Sequence, residues 1–287
     1  MTPRALRVPG MGLSLAALEW SAEGSPRGDA LLLHGFQDAA WSWDLVAPAL
    51  AGAGLRVIAL DLRGFGDSDR VHPSGYYYFN DYAFDVAEAV DHLFGDAPFA
   101  LVGHSMGGSV ATLYAGLYPE RVRRLALLEG VGPPSFAEDF IVERELSWID
   151  GVRKVRARTE RGMSFDDVVR RLSIGHPGVA QDVLRRRAEQ LSRPTSDGQL
   201  AWAFDPLHRT QSPVPFSIER WRAHARRITC PTLCIGGGPS GFHPDDEAER
   251  IATLPHARAV EIADAGHMMH WTRPEQVARL LVEHLAD

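Results

Sequence analysis

A serine stands between two glycines at the point where a predicted strand gives way to a predicted helix. The segment is Gly-His-Ser-Met-Gly, residues 103–107, and it places Ser105 at the turn itself. A nucleophile on such a tight turn adopts a strained backbone that lifts its hydroxyl out of the sheet. The helix that follows directs its first N–H groups at the reacting centre, where negative charge develops during acyl transfer. We therefore predict that Ser105 is a nucleophile; the alternative is a glycine-rich turn that only packs the helix against the sheet.

Short apolar runs alternate with helical patterns on both sides of this turn. Continuous apolar strands that alternate with helices are typical of a parallel sheet covered by helices on both faces. The predicted strands are 13–20, 29–36, 55–62, 99–105, 122–130, 230–238 and 257–264. The predicted helices are 43–54, 80–95, 107–120, 245–254 and 273–286. For the helix 80–95 we expect Asn80 or Asp81 as the N-cap and Gly95 at the C-terminal end.

The alternation stops at Val-Gly-Pro-Pro-Ser, residues 131–135. From there to about residue 228 the chain is rich in Arg and Glu, carries scattered aromatic residues and shows no buried strand pattern. We therefore predict an α/β fold with a mostly parallel central sheet, whose core is formed by residues 1–132 and 229–287. A mostly helical cap, residues 133–228, is inserted between the two halves.

Composition and charge exclude several classes of function. The formal net charge of −7 argues against a nucleic-acid surface, and no run of 18 apolar residues is present that could span a membrane. Cys230 and Cys234 would lie roughly 13 Å apart on one strand, too far for a disulfide. With no signal-peptide pattern at the N-terminus, we expect a cytoplasmic protein. Zinc-ligand spacing is also absent, so we expect no metal.

Four segments stand in an order that resembles enzymes of the α/β-hydrolase fold. They are residues 31–50, 60–70, 101–130 and 262–277, and together with their surroundings they cover both predicted core halves, about two-thirds of the chain. Within that superfamily, His-Gly-Phe-Gln-Asp-Ala-Ala-Trp-Ser-Trp-Asp followed by residues 76–93 is similar to the serine hydrolase-like subgroup. The resemblance implies a serine nucleophile that hydrolyses an ester, thioester or amide without a cofactor.

The resemblance also implies a base and an oxyanion hole. The base of such enzymes lies in the loop after the last strand, where the pair Gly266-His267 matches. The second oxyanion donor is the backbone N–H directly after His-Gly, here Phe36, beside the N–H of Met106 after the nucleophile.

Other polar and aromatic residues near these motifs receive lesser roles. His34 is expected to brace the oxyanion loop, and His104 to pack or to line a tunnel, because neighbouring side chains on a strand point to opposite faces. His270 is expected in the pocket wall, with the role of base as an alternative. Gln37 and Trp148 are the other candidates for the substrate pocket.

The triad acid is harder to assign. Most of the enzymes that the sequence resembles carry an Asp in the loop after the strand that restarts the core, but here residues 236–241 are Gly, Pro and Ser. Glu129 ends the strand 122–130, where a subset of the superfamily carries its acid. A carboxylate after a buried run is costly unless it is paired, and a histidine that becomes imidazolium is a suitable partner. We assign Glu129; Asp245 and Asp246, which lie where a helix should begin, remain alternatives.

These residues predict acyl transfer. Attack of a serine on a haloalkane or epoxide would leave an alkyl ether that water does not readily cleave, so a carboxylic ester of a small molecule with an apolar acyl or aryl group is the expected substrate. Carbon–carbon bond hydrolysis, thioester hydrolysis and perhydrolysis at the same site are alternatives. A non-catalytic ligand-binding protein on this fold is a further alternative. The sequence does not predict the oligomeric state.

Overall fold

An eight-stranded sheet forms the centre of the chain in the computed structural model, which describes residues 1–134, 140–158 and 162–286. The strands, with a separate hairpin β7–β8, are β1 Arg4–Pro9, β2 Ser14–Trp20, β3 Gly28–Leu33, β4 Leu55–Leu60, β5 Phe99–His104, β6 Val122–Leu128, β7 Ser192–Pro194, β8 Leu200–Trp202, β9 Thr232–Gly236 and β10 Ala257–Glu261. The order in the sheet is β1-β2-β4-β3-β5-β6-β9-β10. The pairs β1–β2 and β2–β4 are antiparallel and the others are parallel, which confirms the predicted fold class.

Strand β1 is the strand of the central sheet that the sequence did not predict. Its residues alternate between exposed and partly buried positions, and Val8 alone is fully buried. It lies at the sheet edge against β2, so it carries no continuous apolar run. An edge strand with one solvated face lacks the pattern that identified the central strands.

Ten helices are present in the described part of the chain. Their bounds are α1 Ala47–Gly52, α2 Phe79–Phe94, α3 Met106–Leu117, α4 Ile141–Arg156, α5 Phe165–Gly175, α6 Gln181–Gln190, α7 Ile218–Ala225, α8 Glu247–Thr253, α9 Met269–Thr272 and α10 Pro274–Leu285. Helix α1 is shorter than predicted because Ala40–Trp43 forms a 3₁₀ turn that buries Trp43. Helix α2 ends at Gly95 as predicted, but its N-cap is Tyr78 and not Asn80 or Asp81. Asp81 lies in the first turn of that helix and pairs with the buried Arg63.

The hydrophobic core has one layer on each face of the sheet. Successive side chains of a strand point to opposite faces. In β3, Leu31 and Leu33 therefore pack with α2 and α3, whereas Leu32 packs with α1 and α10. These leucines are fully buried. The continuous apolar pattern of the central strands follows from the need to fill both layers.

The inserted region, defined here as the described residues between β6 and β9, contains helices α4 to α7 and the β7–β8 hairpin. The strands of that hairpin have three residues each and are partly exposed, so no buried pattern predicted them. Arg187 of α6 ties the region to the core: it is fully buried, pairs with Asp44 at 2.8 Å and lies over the Trp271 ring. The predicted cap 133–228 includes residues 135–139 and 159–161, and the predicted core ends at residue 287; these residues lie outside the described ranges.

Two further findings concern the setting of the chain. Within the described ranges, no helix combines the length and the apolar character that crossing a bilayer requires. Cys230 and Cys234 are both buried and free. Burial raises the pKa of the Cys234 thiol to about 12, so this thiol remains protonated at neutral pH.

The contact between α3 and α7 depends on Gly116. A Cβ at this position would lie 2.6 Å from the carbonyl oxygen of His224, a backbone atom that cannot rotate away. We expect Gly116→Ala to lower the free energy of unfolding by about 1–3 kcal/mol, as overpacked sites do, and to lower Tm by several degrees. Thermal denaturation measures the effect. Gly175→Ala is the control, because Gly175 has open space around its Cβ position; an equal loss of Tm in both variants would contradict the interpretation.

Candidate active site

Ser105 occupies a strained turn between β5 and α3. Its backbone has φ 51° and ψ −117°, in the region that residues with a Cβ rarely adopt. A hydrogen bond to the sheet and close packing of the turn hold the backbone in this strained conformation. The N–H of Ser105 donates to Leu128 of β6 at 2.9 Å, and a Cβ at Gly107 would lie 2.5 Å from the carbonyl oxygens of Leu33 and His34. Glycine at 107 is therefore required for the helix to start this close to β3.

His267 lies beside this serine. Its Nε2 is 3.0 Å from the Ser105 Oγ, within hydrogen-bond distance. Two contacts fix the loop that carries it: the Gly266 N–H donates to the carbonyl of Gly237 at 2.8 Å, and His104 Nε2–H donates to the carbonyl of His267 at 2.9 Å. The imidazole is therefore oriented by the loop after β9 and by the residue that precedes the nucleophile.

Glu129 completes the line of side chains. The Nδ1–H of His267 donates to Glu129 Oε2 at 2.5 Å, and the glutamate side chain is fully buried. Its Oε1 accepts the Gly237 N–H at 2.8 Å, and Oε2 accepts the Phe242 N–H at 2.7 Å. Three donors thus compensate the loss of water around a buried carboxylate.

The glycine-rich loop after β9 provides the space for this carboxylate. A Cβ at Gly237 would lie 2.7 Å from Glu129 Oε1, and a Cβ at Gly241 would overlap the same oxygen. The Glu129 carboxylate, which enters from the end of β6, fills the space inside the loop after β9. This explains both why the loop carries glycines and why it carries no Asp. Neither loop amide was singled out from the sequence; the run of three glycines was the available signal.

Asp245 and Asp246 do not approach the imidazole. Asp246 pairs with Arg250 at 2.7 Å and with Arg222 at 3.4 Å, and Asp245 is exposed. Both aspartates begin the segment that leads into α8, where an acidic side chain favours the positive end of the helix. Of the alternatives for the acid, the structure brings only Glu129 to His267.

Four non-glycine residues in the described chain have positive φ, and all four follow a strand at its carboxyl end. Gln37 follows β3, Ser105 follows β5, Glu129 follows β6 and Asp264 follows β10. Because parallel strands end at one edge of the sheet, these loops meet there. Backbone strain concentrated at one edge is typical of a functional site.

The oxyanion-hole prediction concerns the amides of Phe36 and Met106. The turn at residues 35–38 crosses the nucleophile, since a Cβ at Gly35 would lie 3.3 Å from the Ser105 Cβ. Within the described part of the chain, neither amide N–H donates to another group. His34 braces the turn: its Nε2 accepts from Leu62 N–H at 3.0 Å, so its Nδ1–H donates to the carbonyl of Gly35.

The predicted pocket residues fall in three different places. Gln37 is exposed on the oxyanion turn. Trp148 lies on α4, half-buried, with its ring against Tyr76 at a centroid distance of 5.6 Å. His270 is fully buried, and its place in the pocket wall stays a prediction. Phe242, which the sequence analysis did not select, has its ring 5.6 Å from that of His267 and is 39% exposed.

His270 belongs to a buried polar cluster behind the candidate base. Its Nε2 lies 3.4 Å from Asp38 and 3.3 Å from the Ser42 hydroxyl, and its ring is 4.4 Å from that of His104. Burial lowers the pKa of both histidines; in Asp38, burial opposes ionisation, but hydrogen bonds from His270 and Ser42 lower the pKa. The cluster packs as a neutral pair of imidazoles against one carboxylate.

One group of potential metal ligands lies together in the described chain. It consists of Asp38, His104 and His270, whose ligand atoms are within 4.8 Å of one another. All three are buried, and His104 already donates to the carbonyl of His267. The prediction that the protein uses no metal stays a prediction.

A cavity of about 920 Å³ lies in the inserted region, apart from these residues. Its lining includes Met163 and Trp202 together with four cationic side chains, which are Lys154, Arg158, Arg171 and Arg209. Neither Ser105 nor His267 lines it.

A family model described as the alpha/beta hydrolase fold matches residues 31–274. The chain is 30% identical over 244 residues to a serine hydrolase-like protein of Dictyostelium discoideum, covering 80% of this chain and 65% of that protein. A shorter stretch of 91 residues is 41% identical to epoxide hydrolase B of Mycobacterium tuberculosis, covering 32% of this chain and 25% of that protein.

Among solved structures, a hypothetical protein of Pseudomonas aeruginosa PAO1 superposes with a TM-score of 0.84 and is 27% identical, with 99% of both chains covered. The likeness thus extends over the sheet and the inserted region together.

The assignment of the acid generates a direct test. In Glu129→Gln, the amide NH₂ takes the place of one oxygen, so either the Gly237 N–H alone or the Phe242 N–H together with the His267 Nδ1–H loses its acceptor, and in both cases the imidazole loses its charged partner. We expect kcat for an ester substrate to fall by about 10³- to 10⁴-fold, as in other triads with an amide in place of the acid. Asp246→Asn is the matched control and should keep kcat within about twofold, because Asp246 pairs with Arg222 and Arg250 and contacts neither Ser105 nor His267, and Arg250 keeps its three carbonyl acceptors. Loss in Asp246→Asn with full activity in Glu129→Gln would overturn the assignment.

Proposed function

The chain belongs to the α/β hydrolase fold family, and we propose that within it the protein is a serine hydrolase that cleaves a carboxylic ester, or a related acyl compound, through an acyl-serine intermediate. The observation that carries the proposal is the continuous line Ser105–His267–Glu129. Its two links measure 3.0 Å and 2.5 Å, and each joins atoms that the chemistry requires to meet.

The reaction follows from these contacts. The Ser105 hydroxyl attacks the acyl carbonyl while His267 Nε2 takes its proton, and the resulting imidazolium is stabilised by Glu129 through Nδ1–H. His267 then donates the proton to the leaving group, which departs and leaves an acyl-serine. A water molecule, deprotonated by the same imidazole, attacks the acyl-serine and releases the acid and the free hydroxyl.

The tetrahedral intermediates carry a negative oxygen, and the amides of Phe36 and Met106 are proposed as its donors. Both amides are free of other acceptors in the described chain, and the turn that carries Phe36 crosses the nucleophile. A pair of preorganised N–H groups at this position lowers the barrier without reorganisation during the step.

Serine at position 105 separates this proposal from epoxide opening, despite the partial identity to an epoxide hydrolase. Opening of an epoxide by Ser105 would form an alkyl ether. An ether lacks the carbonyl that water attacks in an acyl-serine, so the enzyme would not be regenerated. Acyl compounds are the substrates from which this nucleophile can be released.

An apolar acyl or aryl group is proposed for the substrate. Phe36 is 51% exposed and Phe242 is 39% exposed, and they flank the oxyanion turn and the imidazole. Apolar side chains this exposed beside a nucleophile offer surface that a substrate group can bury.

Labelling with a fluorophosphonate probe and turnover of p-nitrophenyl esters of increasing acyl chain length test the proposal. We expect one adduct, mapped to Ser105 by mass spectrometry, and measurable ester hydrolysis. Ser105→Ala should lose the adduct and lower kcat on the order of 10⁶-fold, because the nucleophile is removed. Ser25→Ala is the control and should keep both the adduct at Ser105 and the wild-type kcat. Ser25 is an exposed serine before β3, at the opposite edge of the sheet.

The outcomes separate the alternatives. Labelling of Ser105 without ester turnover would contradict ester hydrolysis and favour the alternatives on the same site, namely carbon–carbon bond hydrolysis, thioester hydrolysis or perhydrolysis. Neither labelling nor turnover, in a protein shown to be folded by its thermal transition, would contradict catalysis and favour a ligand-binding role.

A further inference from the structure

His243 is held by two acceptors at once. Its Nδ1 lies 2.6 Å from Glu247 Oε2, and its Nε2 lies 2.8 Å from the carbonyl oxygen of Gly238. A carboxylate and a carbonyl only accept hydrogen bonds, and a neutral imidazole has one N–H to donate. Both contacts exist together only when the ring carries both protons, so the geometry requires an imidazolium.

The carbonyl that His243 binds lies in the loop that holds Glu129. The neighbouring Gly237 N–H and the Phe242 N–H are the two backbone donors to the Glu129 carboxylate. The Gly238 carbonyl also accepts the Gly241 N–H at 2.8 Å, which closes the turn between these donors. This carbonyl follows the first donor residue by one position and is bonded to the residue before the second donor, so holding it restricts the turn that separates the two donors.

We propose that His243, as an imidazolium, is a positioning residue that holds loop 237–242 in the conformation in which its two amides bind Glu129, so that hydrolysis is lost when this ring is deprotonated. The inference rests on the proposed function, because it assigns Glu129 as the acid of that reaction. His243 itself contacts neither the nucleophile nor the base in the structure. Its effect passes through the Gly238 carbonyl, the loop amides and Glu129 to His267.

The charges around the ring favour its protonated form. Glu247 faces it from α8 and Glu129 from the end of β6, while Glu261 of β10 binds the Gly238 N–H at 2.9 Å. The Gly238 carbonyl and then Glu247 raise the pKa of His243 to about 9, while burial opposes the rise and the charge of Glu129 adds to it. The imidazolium is therefore present at neutral pH and disappears as the pH rises through about 9. The stability that it contributes is complete below the ordinary histidine pKa and is lost over the same rise.

The pH dependence of kcat and KM tests this role. In the wild-type enzyme we expect kcat to fall above about pH 9 because the acid is mispositioned, with a smaller rise in KM, because Phe242 moves with the loop while Phe36 does not. Glu247→Gln keeps an acceptor oxygen but removes the charge, so this alkaline fall should move toward neutral pH. His243→Gln, which cannot donate in both directions, should lower kcat about 10- to 100-fold at pH 7. His92→Gln, an exposed histidine on α2, is the control and should match the wild type.

A second measurement is independent of turnover. An NMR titration of the wild-type protein follows the His243 ring and the Phe242 amide in the same samples. We expect the ring to titrate near pH 9 and the Phe242 amide resonance to shift with the same midpoint; in Glu247→Gln both midpoints should move down together. A protein that hydrolyses no ester but shows this coupled titration would contradict the proposed function and support the positioning role.

Three results would overturn the inference. One is a ring that titrates near the ordinary histidine value, and another is a Phe242 amide that does not respond to that titration. The third is an active enzyme in which Glu247→Gln leaves the alkaline fall of kcat unchanged.

Discussion

A buried carboxylate must be fully compensated or it destabilises the fold, and this constraint shapes the whole edge of the sheet at which Glu129 lies. The side chain leaves the end of β6 and enters the loop after β9, where two backbone amides and one imidazole N–H bind its two oxygens. The side chain has no exposed surface, so its hydrogen bonds come from the protein and not from bulk water. The same three donors that make its burial tolerable also fix the orientation of His267.

The loops that meet at this edge support one another. The Gly266 N–H, in the loop that carries His267, donates to the carbonyl of Gly237, so His267 and Glu129 are both held by the loop after β9. His104, which precedes the nucleophile, donates to the carbonyl of His267 and rests on His270 in the buried cluster with Asp38. Buried hydrogen-bond networks of this kind restrict the orientation of the side chains that they contact, here the candidate base His267.

Much of this arrangement was predictable from local sequence signals. Apolar runs identify central strands because both faces are buried, and the glycine-flanked Ser105 identifies the sharp turn by its steric requirement. Strand β1 and the hairpin β7–β8 were missed because short or edge strands bury too little to leave a pattern. The burial of His270 was missed because it depends on Asp38 and Ser42, which lie more than 200 residues away in the chain. The roles of the Gly237 and Phe242 amides could not be predicted, because a backbone N–H leaves no signal in the sequence other than the glycines that make room for its acceptor.

The measurement that tests the central claim most directly is the proton NMR signal of the His267 Nδ1–H. A hydrogen bond of 2.5 Å to a buried carboxylate should deshield this proton strongly and shelter it from exchange. We predict a far-downfield resonance that persists in Ser105→Ala, where the serine hydroxyl is absent, and disappears in Glu129→Gln. A His267 ring without such a resonance in the wild-type protein, or with one that survives the loss of the Glu129 charge, would contradict this prediction.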